Sequence, residues 1–286
     1  MDLFLQQVIN GIMVGSVYSL VALGLTIIYG ILGVPNFAHG SLYMLGAYFS
    51  FLLVTAGGVN YWLAILISMA ALTVIGMVIE RIVFRPLVNA PHLNSFIAAI
   101  GLIYVIDNVA LIVWGPDFKR FPPLYDQLYH FLGVTITLHR IIIVVTAVVL
   151  IVLLELFIKK TTIGSAIEAT AQDRVGARLS GINVTRVDMW TLGLGTSLAA
   201  AAGALIGPIL LVYPAMGGAV TLKAFVIIIL GGMGSIPGAI LGGFILGLIE
   251  SIGGAYLTTN YHEVLAFGLL VTVLAIKPTG LFGKAH

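Results

Sequence analysis

Few side chains in this sequence could do chemistry, and those few sit in apolar company. Asn36 and His39 follow Pro35 inside the string Gly30–Gly40, GILGVPNFAHG. A strongly polar or ionisable residue in hydrocarbon costs a few kcal/mol and marks a functional site by default. Two roles fit this pair. Asn36 caps a helix beginning near Phe37 by accepting a free N–H, and His39 donates to a carbonyl of a broken helix. Alternatively, both meet a transported molecule. Asp107, next to Asn108, lies two thirds of the way along the apolar run 93–115, and Glu250 lies near the end of the run 222–253. These two acids could relay protons, or each could bond a neighbouring helix. No basic partner is evident deep in any span, so a charge-paired relay has little support. Glu155 precedes Lys159 by four residues, an orientation that favours an interfacial ion pair.

Other chemistries are absent. The chain has no cysteine, hence no disulfide, thiolate metal site or cysteine nucleophile. It lacks the GxxxxGK[ST] phosphate loop, HExxH and GxSxG, and it has no paired-carboxylate constellation. No enzyme activity, metal or cofactor is expected. A net charge of +2 is too small to suggest a nucleic-acid partner.

The elements that carry these residues follow from composition. Of 286 residues only 8% are charged and 60% are hydrophobic. Residues 3–79 contain no Asp, Glu, Lys or Arg. Such a stretch cannot cover a soluble surface with polar groups, and it lacks the alternation of an outer-membrane barrel. Apolar runs over 8–32, 38–56, 61–83, 93–115, 139–158, 187–212, 222–253 and 262–277 read as membrane spans. The N-terminus has no basic n-region and reads as the start of a retained span. The fold class is all-α: a polytopic helical bundle of about 8–9 spans (8–10 possible), forming one transmembrane domain over 1–286.

The Lys/Arg bias places the 159–186 connection in the cytoplasm. It carries Lys159, Lys160, Arg174, Arg178 and Arg186. Arg81, Arg85, Lys277 and Lys284 then also fall inside. Eight simple crossings conflict with this assignment. The run 222–253 is too long for one span, and LGGMGSIPG breaks it at its centre, so two crossings there give nine with the N-terminus outside.

Gly30–Gly40 and Leu230–Gly238 are thus interrupted helices. Non-helical backbone at membrane depth must be buried in protein or line a cavity, and a pair of such breaks points to a transport pathway. Gly is also common in membrane helices for close packing. A shift of 198 residues aligns Gly33 with Gly231 and Gly40 with Gly238, a hint of internal repetition. The 159–186 segment contains its own helix. Ser165 with Glu168 has capping-box spacing, and Gly181 is placed as a left-handed stop. A helix over 166–180 results, with Ile167, Ala171 and Leu179 on a narrow apolar stripe. It reads as an interfacial helix or a docking surface, and Arg174 and Arg178 could instead face lipid headgroups.

Four motifs in order resemble the branched-chain amino-acid ABC transporter permeases, the LivH family. They are the N-terminal run QQVINGIMVGSVYSLVALGLTIIYGILGVPNFAHGSLYMLGAY, of which NFAHG is the most specific part, AIEATAQDRVGARLSGINV, AFVIIILGGMGSIPGAILGGFILGLIE and KPTGLFGK. The resemblance covers residues 4–284. It implies a bacterial inner-membrane importer subunit acting with two cytoplasmic ATPases, a second homologous permease and a periplasmic binding protein. Asn36, Phe37, His39 and Gly40 would lie on the translocation pathway, with Gly231, Gly232, Gly234 and Pro237 as counterpart. Glu168, Ala171, Gln172, Asp173, Arg174, Arg178 and Gly181 would couple to an ATPase, although Arg174 stands where the general importer pattern has glycine. Permeases for urea and short amides share most of these motifs. The rivals are a secondary transporter using Asp107 and Glu250, a passive channel, and an assembly protein without a pathway.

Overall fold

The computed structural model describes residues 2–131, 133–256 and 262–283. Lys284 lies outside them. Among the described residues the chain forms eleven α-helices. They are α1 Asp2–Leu32, α2 His39–Thr55, α3 Tyr61–Ile79, α4 His92–Trp114, α5 Leu138–Lys160, α6 Thr162–Gln172, α7 Arg174–Leu179, α8 Val184–Ile206, α9 Gly217–Gly231, α10 Ile236–Tyr256 and α11 His262–Ile276. Six of them (α1, α3, α4, α5, α8, α10) are long and apolar enough to cross a membrane. The apolar helices α2, α9 and α11 are shorter, at 17, 15 and 15 residues.

The helices α1 and α8 form the buried centre, and α2, α3 and α10 pack on them. What permits this is absence of side chain. A Cβ on Gly46 of α2 would collide with the Ala200 backbone of α8, and one on Gly247 of α10 would collide with Gly15 of α1. Small residues let membrane helices approach until their backbones touch, and dispersion then replaces the missing hydrophobic drive. Helices α4 and α5 lie outside this centre. Their outward faces are apolar, with Ile97, Val105, Ile112, Val145, Val149 and Val152 all exposed.

The run 222–253 is two helices, divided at the expected break. Several other expectations need correction. Helix α9 begins at Gly217 rather than 222. The span read to 212 ends at Ile206, because Pro208 just beyond has no N–H to continue the helical ladder. The all-α reading missed a hairpin, Leu128–Phe131 paired antiparallel with Val134–Thr137. Gln6 of α1 donates to Thr135 O at 3.2 Å and accepts from Thr135 N at 3.1 Å. The hairpin therefore sits at the end of the bundle where α1 starts. Beyond α3 the helix loosens into a π-helical turn, Glu80–Phe84, and a 3-10 turn, Arg85–Leu87.

Candidate functional site: two interrupted helices under a basic segment

At the other end of the bundle both breaks and the basic segment meet. After α1, Gly33 takes φ +66, and the chain turns back along the helix it has just left. Residues 33–38 can span roughly 20 Å when extended. His39 Nε2 then lies 3.0 Å from Val21 O, ten residues and about 15 Å of helical rise before Ile31. The return segment is buried at Val34, Asn36 and Ala38. This is the condition under which free backbone is tolerated at depth. Asn36 Oδ1 accepts from Ala38 N at 3.2 Å, which fixes the turn ahead of α2 and is not the expected helix cap, since Ala38 is the N-cap and no side chain caps α2. His39 is fully buried and braces α1. Gly40 N donates to Thr221 Oγ1 of α9 at 3.0 Å, and the Phe37 ring stacks on Phe225 at 4.4 Å.

The second break is tighter. Gly231 ends α9, Gly232 (φ +97) and Gly234 (φ +82) turn the chain, and α10 starts at Ile236 with Pro237 in its first turn. Gly33 and Gly231 are therefore not equivalent, since Gly231 is still helical, and the hint of repetition fails there. The segment after α11 closes this break. Leu281 N and Phe282 N donate to Leu230 O and Gly231 O at 2.8 and 3.0 Å, satisfying carbonyls that a helix end leaves free. The two breaks are neighbours. A Cβ added to Gly30 would meet Gly234 Cα at 3.7 Å.

The basic segment is not the single helix 166–180. It is α6 and α7, joined at Asp173 in extended backbone (φ −151, ψ 104). The cap is Thr161, whose Oγ1 accepts from Gly164 N at 3.0 Å, so Ser165 falls inside the first turn. Asp173 caps α7 in turn, accepting from Val175 N at 2.9 Å. Gly181 takes φ +85, and Ile182 N bonds back to Ala177 O at 3.0 Å, as a left-handed helix stop requires. The expected apolar stripe does not hold. Ile167 is buried, Ala171 is exposed, and Leu179 is 84% exposed together with Val175 at 69%. Glu168, Gln172, Asp173 and Arg178 are exposed.

A cleft of about 410 Å³ brings Glu168 and Ala171 together with Gly30, Gly234, Ser235 and Pro237. On the other flank of α6 a cavity of about 390 Å³ is lined by Gly33, Glu80, His92, Ala171, Arg174 and Asp188, among others. Arg174 reaches across it. Its guanidinium donates to Ile31 O at 3.0 Å and pairs with Asp188 of α8. Glu80 is buried and holds Arg85 through two bonds of 3.2 and 2.7 Å.

The remaining polar residues separate. Ser41 of α2 donates to Asp107 of α4 at 2.8 Å. Asn108 is exposed and donates to Tyr104 O. Glu250 accepts from Tyr18 and from Lys223, each at 2.8 Å. The expectation that no basic residue sits deep in a span is therefore wrong: Lys223, in the middle of α9, is that partner. Asp107 and Glu250 share no partner. The expected Lys159–Glu155 pair is present at 2.6 Å. Sequence reasoning missed Lys223, Tyr18, Ser41 and Asp188. A lysine within an apolar run was the signal available for the first. Among the described residues no three His, Asp or Glu converge in a metal-binding cluster.

A bundle of apolar helices with two interrupted members meeting beneath a charged, capped segment defines a multi-pass membrane protein built for transport. The chain belongs to the family described as branched-chain amino acid transport system / permease component, whose model matches residues 7–274. It is 38% identical to the high-affinity branched-chain amino acid transport system permease protein LivH of Escherichia coli K12, over 98% of this chain and 96% of that protein. It is 38% identical to BraD of Pseudomonas aeruginosa over the same shares. LivM of Salmonella typhimurium is more distant, at 26% identity over 93% of this chain and 67% of that one. In fold the chain is similar to a chain of PsaBC from Streptococcus pneumoniae solved with a Fab. The TM-score is 0.52, the identity 13%, and the match covers 98% of this chain and 94% of that one.

Proposed function

We propose that this chain is one permease domain of an ATP-driven importer in a bacterial inner membrane. It would move branched-chain or other small hydrophobic amino acids delivered by a periplasmic binding protein. A second, homologous permease forms the other half of the pathway, and two separate cytoplasmic ATPase subunits hydrolyse ATP. The nine apolar helices are nine crossings, with the N-terminus outside and α6–α7 inside. Their directions alternate, and α1 ends where α6 lies. Asn36, Phe37, His39 and Gly40 belong to one pathway element, and Gly231, Gly232, Gly234 and Pro237 to the other. The segment from Glu168 to Gly181 docks on an ATPase.

The observation that carries this reading is the shared cleft of Glu168, Ala171, Gly234 and Pro237. It puts the proposed point of drive directly against the proposed moving element. The exposed apolar pair Val175 and Leu179, one turn apart on α7, supports docking, because exposed apolar side chains set among polar ones offer a surface to a partner. The test is reconstitution of the full assembly in proteoliposomes with labelled leucine. Uptake should need ATP and the binding protein and should survive collapse of the proton gradient. Uptake that follows the proton gradient without ATP would sink the reading, and saturable urea uptake in place of leucine would reassign the substrate.

A further inference from the structure

The joint at Asp173 poses a mechanical problem. Helix α7 has six residues, too few for its own hydrogen bonds to hold it rigid, and Ala177 is its only buried residue. The extended backbone at Asp173 uncouples it from α6. On the flank toward α4 the segment faces the 390 Å³ cavity rather than packed side chains. A push received at Val175 or Leu179 would be lost at the joint unless something bridges it.

Arg174, the first residue after the joint, makes that bridge. One arm of its guanidinium bonds Ile31 O, a carbonyl in the last turn of α1 and two residues before the positive-φ Gly33. The other arm pairs with Asp188, whose side chain is 5% exposed, in the first turns of α8. A planar fork with fixed donors can hold two acceptors at once, which a lysine ammonium on a flexible stem does not do with the same geometry. We propose that Arg174 is a positioning residue that locks the α6–α7 joint to the end of α1 and the start of α8, so that displacement of α7 reaches the first break. This rests on reading the segment as the ATPase-docking element.

The test uses the complete transporter in proteoliposomes and reads leucine imported per ATP hydrolysed, so a change in absolute ATPase rate does not enter. In a parallel arm, Ala171→Cys is cross-linked to an ATPase subunit. The chain has no other cysteine, so the product on this chain is unambiguous. With Arg174→Gln the ratio should fall about tenfold, within the usual range of coupling between two sites, while the cross-link persists. Arg174→Lys should fall in between, and it decides the matter if the glutamine variant does not reach the membrane. An unchanged ratio in the lysine variant, or in a glutamine variant that does reach the membrane, overturns the proposal. So does loss of the cross-link on substituting Arg174, which would make the arginine part of the docking surface and not a relay. No cross-link with Arg174 intact would instead overturn the docking reading itself.

Discussion

Removing the Lys223 charge should be far more damaging than removing it together with its partner. Lys223 and Glu250 lie 2.8 Å apart with side chains 19% and 6% exposed, and the lysine also sits 5.1 Å from the Tyr18 ring centre. At an effective dielectric of about 20, two unit charges at that distance attract by about 6 kcal/mol. Much of this offsets the desolvation of both ions. What is exposed by mutation is the uncompensated remainder. In Lys223→Met the Glu250 carboxylate keeps only Tyr18, and its Oε1 already has no partner. A stranded buried charge costs about 3–5 kcal/mol, whereas replacing both partners is often nearly neutral. Lys223→Met and Glu250→Gln should therefore each destabilise by about 3 kcal/mol or more, and the double variant by less than either. Reversible unfolding of the purified chain in mixed micelles, followed by tryptophan fluorescence and run as a double-mutant cycle, measures this. Additive losses, or single variants as stable as the parent, would show that the pair is not held as a desolvated unit.

Gly46→Val should fail to yield folded protein, since its Cβ would collide with the Ala200 backbone and neither helix can yield without opening the core. Antibody detection after membrane extraction against a Gly101→Val control, at an exposed site of α4 with open space and ordinary helical backbone, checks this. Gly181→Val should cost about 1–2 kcal/mol by forcing a β-branched residue to φ +85, and leucine imported per ATP should drop. With single cysteines, Gly234→Cys should react with a small polar thiol reagent at rest, because Gly234 is exposed. Asn36→Cys, at a position 1% exposed, should react only during turnover. Protection of both under turnover would put the breaks in packed protein.

Much of this arrangement was readable from residue order. The start of α2 and the end of α4 lie within one residue of the apolar boundaries, because Pro35-Asn36 and Gly115-Pro116 are strong local stops. Gly181 was readable for the same reason, since only its φ matters. The joint at Asp173 was not, because Ser165 and Glu168 offered a plausible cap and Thr161 competed for it from outside the expected helix. The Lys223–Glu250 pair spans 27 residues and two helices, and no local pattern encodes which faces of α9 and α10 meet α1. The return of residues 33–38 along α1 was hidden likewise. A Gly/Pro string says that the helix stops, not that the chain doubles back to the level of Val21.

The apposition of α1 and α10 has a consequence for synthesis. Ser19 bonds both Gly15 O in its own helix and Ile240 O, 221 residues later, and Tyr18 waits for Glu250 on the same helix. At roughly 5–20 residues per second of translation, α1 would spend roughly 10–45 s in the bilayer before its partner exists. During that interval its glycine seam and tyrosine hydroxyl face lipid. The first helix of the bundle is thus the one most in need of a temporary companion at the site of insertion.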